Sequence, residues 1–244
     1  MTDVRQRPAF YVLPSGGWHD YWSLLHPPYT VWHLSYVAIG AALAPDLHVG
    51  WLLETLAAFF LAMGLAAHAL DELNGRPLRT RIPGGVLIAI AVVGLSGAIA
   101  LGVHGVIEVS SWLWAFIVAG AFLVVAYNME LFGGVVHSDL WFALAWGAFP
   151  VLTAYFAQTA VVRVEAVLAA AACAAISAAQ RTLSTPVRRL RRTVVGVRGE
   201  VELTDGTRER IDASAIRDAP ERALRWLSLA MPLVATALVI ARLS

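Results

Sequence analysis

Seven apolar runs, each close to the ~20 residues that cross a hydrocarbon core of roughly 30 Å, leave this chain few possible folds. They lie near residues 29–47, 50–70, 83–103, 111–131, 140–159, 164–180 and 223–243. A backbone in lipid must satisfy its own hydrogen bonds, so it spans as helices or as a closed barrel. Barrel spans alternate apolar and polar residues, and that alternation is absent here. The expected fold is therefore all-α, a polytopic bundle of about seven transmembrane spans. Composition agrees: the chain is 59% hydrophobic and 14% charged, with mean hydropathy +0.67, far from a soluble domain.

Residues 1–28 hold Arg5, Arg7 and the turn-prone Pro14-Ser15-Gly16-Gly17, with no apolar core of a cleavable signal peptide. The first span is expected to act as its own insertion signal. Phe10-Tyr11 and Trp18-His19-Asp20-Tyr21-Trp22 make this segment aromatic, which suits the membrane interface, with a lid over the cytoplasmic mouth as the alternative. The single Cys173 excludes an intrachain disulfide. Every basic residue is arginine, and a chain without lysine cannot form a retinal Schiff base, so the seven helices are not a rhodopsin.

Arginine placement gives an orientation. Arg5 and Arg7 precede span 1, Arg76, Arg79 and Arg81 follow span 2, and Arg181 to Arg225 lie between spans 6 and 7. Only Arg163 and Arg242 fall on the other side. The positive-inside rule then puts the N-terminus in the cytoplasm and the C-terminus outside, in a multi-pass cell-membrane protein. Its expected partners are the bilayer and a lipid, not nucleic acid.

Residues 188–222 form the sizeable extramembrane region. Arg188-Arg189-Leu190-Arg191-Arg192 suits anionic headgroups. Asp205-Gly206, between alternating residues, predicts a small cytoplasmic β-hairpin, with a helix from about Pro220 leading into the final span, 223–244.

Ionisable side chains collect at cytoplasmic span ends, where burial is expensive and usually marks a cavity or an interior. The first cluster is His68, Asp71, Glu72, Asn74 and Arg76. His68, Asp71 and Glu72 are spaced i, i+3, i+4 and are read as sharing one helix face. The second is Tyr127-Asn128-Met129-Glu130 with His137-Ser138-Asp139, and the third Gln180-Arg181-Thr182 with Ser184 and Thr185 beyond. Carboxylates favour Mg²⁺ or Mn²⁺, and imidazole shifts the preference toward Fe, Mn or Zn. The candidate metal set is His68, Asp71, Glu72, Glu130, His137 and Asp139, against a hydrogen-bonded polar plug. His26 and His33 read as aromatic-belt packing, with His33 able to face the same cavity. Small-residue runs, Ala169 to Ala175 and Gly85, Gly94 and Gly97, read as packing surfaces.

Across roughly residues 20–190 these features resemble the UbiA superfamily of intramembrane prenyltransferases. The resemblance is carried by Leu25-His26-Pro27, the acidic stretch after span 2, Arg76-Pro77-Leu78, Ile82-Pro83-Gly84, Val125-Ala126-Tyr127 and Trp146-Gly147-Ala148-Phe149-Pro150. It implies a helical bundle, residues 29–187, around a lipid-open cavity. There a prenyl group leaves a diphosphate held by Mg²⁺ on two Asp-rich motifs. On this resemblance Asp71, Glu72, Tyr127 and Glu130 are catalytic candidates, and Arg76, Asn128, Gln180 and Arg181 substrate-binding ones. The motifs are altered. With His68 at the position of the family's asparagine, Ala69 and Arg76 replace two of three aspartates, and no carboxylate follows span 6. The expected function is a membrane enzyme acting on an isoprenoid or other lipid. The alternatives are a non-catalytic lipid binder and a non-prenyl metalloenzyme on the same scaffold.

Overall fold

The computed structural model describes residues 7–244, so Arg5 lies outside the described residues. A helix stands at each of the seven expected positions. After the short α1 (Trp18–Leu24) come α2 (Pro27–Ala42), α3 (Val49–Leu73), α4 (Gly84–Glu108), α5 (Leu113–Asn128), α6 (Asp139–Thr159) and α7 (Val164–Arg192). The hairpin β1 (Gly199–Glu202) and β2 (Arg208–Ile211) precedes α8 (Ala213–Leu243). Five of these, α3, α4, α6, α7 and α8, are long and apolar enough to cross a membrane. The 16 residues each of α2 and α5 rise only about 24 Å.

Large apolar side chains cover the outside: Val92 and Val93 on α4, Val118 on α5, Leu168 on α7 and Leu233 on α8 are all more than half exposed. A soluble monomer does not display such a belt, whereas lipid accepts it without cost. The fold is consistent with a multi-pass membrane protein.

Two sets of helices meet. α2 packs along α6 and α8, with α7 behind them, while α3, α4 and α5 pack on one another. In the first set Trp32, Tyr36 and Val151 are fully buried, and Trp32 Nε1 donates to Tyr36 Oη at 2.6 Å. Glycine permits the closest approaches. A Cβ on Gly40 would stand 2.3 Å from the Val151 carbonyl oxygen, and one on Gly147 2.7 Å from Cys173 O. The alanine run of α7 thus receives α6 as a packing surface, as expected.

α3 and α6 are not uniform. Phe60–Ala67 in α3 and Leu144–Ala148 in α6 are wound as π-helix, which concentrates at functional sites. In α6 the cause is visible. Pro150 has no N–H, so Trp146 O loses its ordinary i+4 donor.

The cytoplasmic-side prediction of a hairpin at Asp205-Gly206 matches in kind and differs in extent. The strands pair Glu202 with Arg208 and Gly199 with Ile211, and Gly206 takes φ +81° in the turn. Val194 to Val197 stay outside the strands. α7 runs on to Arg192, so the basic cluster is its last turns and not the start of a separate segment. α8 begins at Ala213, ahead of the helix expected from about Pro220, is capped by Asp212, and runs through Pro220 into the final span as one helix.

Candidate functional site

A cavity of about 320 Å³ lies at the arginine-rich end of the bundle, walled by the N-terminal segment, α2, α3, α5, α6, α7 and α8. His68, Asp71, Tyr127, Asn128, Glu130, His137, Gln180 and Arg181 all line it, so the three sequence clusters do share one chamber.

Three candidates do not join them. Glu72 is fully buried elsewhere: its carboxylate accepts Leu78 N, Thr80 N and Thr80 Oγ1, each at 2.9 Å. Asp71 and Glu72 are adjacent, about 100° apart around a helix, so one facing the cavity turns the other away. Arg76 donates to Ile82 O at 2.7 Å and closes the same loop. Asp139 is 78% exposed and pairs with Arg181 at 2.8 Å on the outer side of the wall. Glu130 lines only the rim, exposed and at φ +50°.

The walls also hold residues that sequence did not assign to a site. His26 and His33 line the cavity with Tyr11, Tyr29, Arg188 and Arg192. His26 stacks on His68 with centroids 4.2 Å apart, and His137 stacks on Tyr127 at 4.4 Å. The imidazoles are oriented from behind. Nδ1 of His33 bonds Trp146 O at 2.8 Å, the carbonyl that Pro150 leaves free. Nδ1 of His68 bonds Gly64 O at 3.2 Å within the π-helical stretch, and that of His137 bonds Tyr127 O at 3.0 Å. A carbonyl only accepts, so each Nδ1 carries a proton, and the bond sets the direction in which each ring presents Nε2. The sequence carried half of the signal for His33, a proline four residues after Trp146; which histidine meets the freed carbonyl is set by the fold.

Buried polar atoms without a hydrogen-bond partner are rare in folded proteins. Among the described residues they are His26 Nε2, Tyr127 Oη, Gln180 Oε1 and Arg192 Nε, and all four belong to walls of this cavity. Tyr127 and Gln180 are 4% and 3% exposed. The chamber walls thus carry polar atoms that no described residue satisfies.

The donor set does not fit a resident divalent cation. Glu72 is engaged by the loop and Asp139 by Arg181, while Arg181, Arg188 and Arg192 bring positive charge to the same walls. No group of three or more His, Cys, Asp or Glu among the described residues stands close enough to hold an ion.

Tyr11, on the strap ahead of α1, meets His26 Nδ1 at 2.8 Å. Burial pushes the Tyr11 phenol up and holds His26 well below the ordinary imidazole range, with His68 and then Arg192 and Arg188 adding to the latter. A base whose folded pKa is depressed binds fewer protons than in the unfolded chain. Stability is then full above about pH 6.5 and falls as pH drops below it, by at most ~1.4 kcal/mol per pH unit. Thermal unfolding between pH 7.5 and 5 should show this loss, and His26→Gln should flatten it. An unchanged slope in that variant would assign the loss to other groups.

A second cavity, about 130 Å³ and nearly all apolar, lies between α3, α4, α5 and α6. Phe59, Ile99, Phe116 and Phe149 line it, and Glu54, bonded to His104 at 2.7 Å, stands at its far end. Met63 and Trp146 belong to the walls of both cavities. The chain finds no match among protein-family models, curated proteins or solved structures.

Proposed function

We propose that this is an integral membrane enzyme that takes an isoprenoid or other single-chain lipid, on the general plan of the UbiA-like prenyltransferases. In this reading all seven helices cross the bilayer, with the N-terminus and the polar cavity on the cytoplasmic side. The head of the lipid enters the polar cavity and its chain the apolar one. The observation that carries the reading is the shared wall of Met63 and Trp146, which sets a polar chamber end to end with an apolar one. Asp71, to which no described residue donates a hydrogen bond, and the bare Nε2 atoms of His68 and His137 are the proton acceptors for chemistry at the head. A group positioned to take a proton contributes typically 10²–10⁴-fold to a rate.

Native mass spectrometry of the protein extracted with its lipid tests this. One lipid per chain should survive detergent exchange, and Ala98→Phe, which fills the apolar cavity, should release it. Retention of nothing above the annular background by the unaltered protein would end the proposal. With the identified lipid as substrate, Asp71→Asn should keep binding and lose conversion. A chain that binds the lipid and never converts it is a carrier and not an enzyme.

A further inference from the structure

The last turns of α7 present Arg181, Ser184, Arg188 and Arg192 to the polar cavity, at i, i+3, i+7 and i+11, which is one helical stripe. Arg181 is already held by Asp139 and lies 5.4 Å over the Phe142 ring. Arg188 and Arg192 are different. Arg188 donates only to Thr185 Oγ1, at 3.2 Å, and Arg192 Nε is buried with no partner. Neither has a carboxylate within ion-pair distance among the described residues. Two guanidinium groups at i, i+4 repel each other, and burial strengthens the repulsion unless an anion lies between them. The carboxylates on the walls are Asp71 and the rim residue Glu130, fewer than the arginines. Tyr127 Oη, buried and unpartnered, adds a neutral donor to the chamber.

We infer that the polar cavity binds a phosphate-bearing head group directly on Arg188 and Arg192, without a divalent cation. The inference rests on the lipid reading above and replaces the expected Mg²⁺ clamp with a guanidinium one. Arginine suits this exchange because its planar fork makes two parallel charge-assisted bonds to one phosphate and stays charged when buried. Tyr127 Oη and the acceptor Gln180 Oε1 then serve the bridging or protonated oxygens of the head.

The test is calorimetric binding of dodecyl phosphate to the purified full chain in a non-ionic detergent with excess EDTA. Dodecanol and inorganic pyrophosphate serve as comparison ligands. Dodecyl phosphate should bind with an affinity unchanged by millimolar Mg²⁺ and exceed dodecanol at least tenfold. Arg188→Gln/Arg192→Gln should erase that excess, Arg188→Lys/Arg192→Lys should retain part of it, and the outward-facing Arg189→Gln should change nothing. Size-exclusion profiles and bound dodecanol show that each variant is folded. Pyrophosphate binding as tightly as dodecyl phosphate would make the site one for free phosphate compounds, still on the arginines. Dodecanol binding equally well would leave the lipid reading standing and overturn the anion site, as would strict dependence on Mg²⁺. Failure of every alkyl ligand with pyrophosphate still bound would overturn the lipid reading alone, and failure of all three would overturn both.

Discussion

Glu72→Ala protein should unfold roughly 10 °C below the unaltered chain, corresponding to about 3–5 kcal/mol. The carboxylate is fully buried and is the acceptor for two backbone N–H groups and a hydroxyl, from Leu78 and Thr80. Removing it orphans three donors at once, each worth about 1–3 kcal/mol when stranded. The loop it holds needs holding. Gly75, Arg76 and Arg79 have φ of +93°, +54° and +58°, and the two arginines occupy a region that costs an L-residue about 1–2 kcal/mol. Asp20 supports the same turn, accepting Arg81 N at 3.0 Å and Gly16 N at 3.1 Å. Glu72→Gln replaces one acceptor oxygen with an NH₂ that faces a backbone N–H, so it should recover little. A metal-ligating or catalytic Glu72 predicts the opposite result, a normally folded protein that has lost activity. Thermal unfolding in detergent separates the two, and a Glu72→Ala protein of unchanged stability would refute the clamp.

That residue shows how far the sequence could be read. Apolar run length placed the seven helices because a run of about 20 apolar residues stands out in any sequence, although only five of the helices are long and apolar enough to cross a bilayer. The hairpin was legible because Asp205-Gly206 is local chemistry: Asp205 Oδ1 accepts Thr207 N and Gly206 supplies the positive φ. The meeting of the three polar clusters followed from topology alone, since alternate helix ends share a side. Direction around a helix was harder. Spacing i, i+3, i+4 placed His68, Asp71 and Glu72 on one face, yet the π-helical stretch before His68 and the loop beyond Leu73 decide which way each points. Helix length at the membrane surface was harder still. Arg188 to Arg192 read as a headgroup anchor because hydropathy stops at Gln180, while the helix itself continues for three more turns and carries two of those arginines into the cavity. His26 was hidden because proline-rich, aromatic surroundings also describe an interfacial belt, and for the same reason the cavity was only the second reading of His33.

The second large effect is expected at Glu221, on α8, a residue that the sequence did not single out. Its carboxylate accepts Arg191 Nη2 at 2.6 Å and Nε at 3.0 Å, and Arg225 Nη2 at 2.9 Å. Arg191 and Glu221 side chains are each 7% exposed. Truncating one partner of such a pair strands the other charge, at about 3–5 kcal/mol, whereas replacing both with apolar residues is often close to neutral. Glu221→Ala should therefore destabilise the chain strongly, and Arg191→Leu/Glu221→Leu should be more stable than either single variant. The consequence reaches the cavity through the strap. Arg191 Nη1 also donates to Arg7 O at 3.3 Å, and Arg225 lies 4.8 Å over the Phe10 ring, while Pro8 to Tyr11 form part of the cavity wall. With Glu221 gone both arginines lose their anchor, and the strap is left with Leu13 N to Ser23 Oγ at 3.1 Å, Tyr11 Oη to His26 Nδ1 at 2.8 Å and the packing of Ala9 and Val12 on Leu78. Hydrogen exchange in residues 8–13 should accelerate in Glu221→Ala under conditions where α3 and α6 remain protected. Exchange rising uniformly across the helices would mean that Glu221 supports the bundle as a whole, and the link between this ion triad and the cavity wall would be lost.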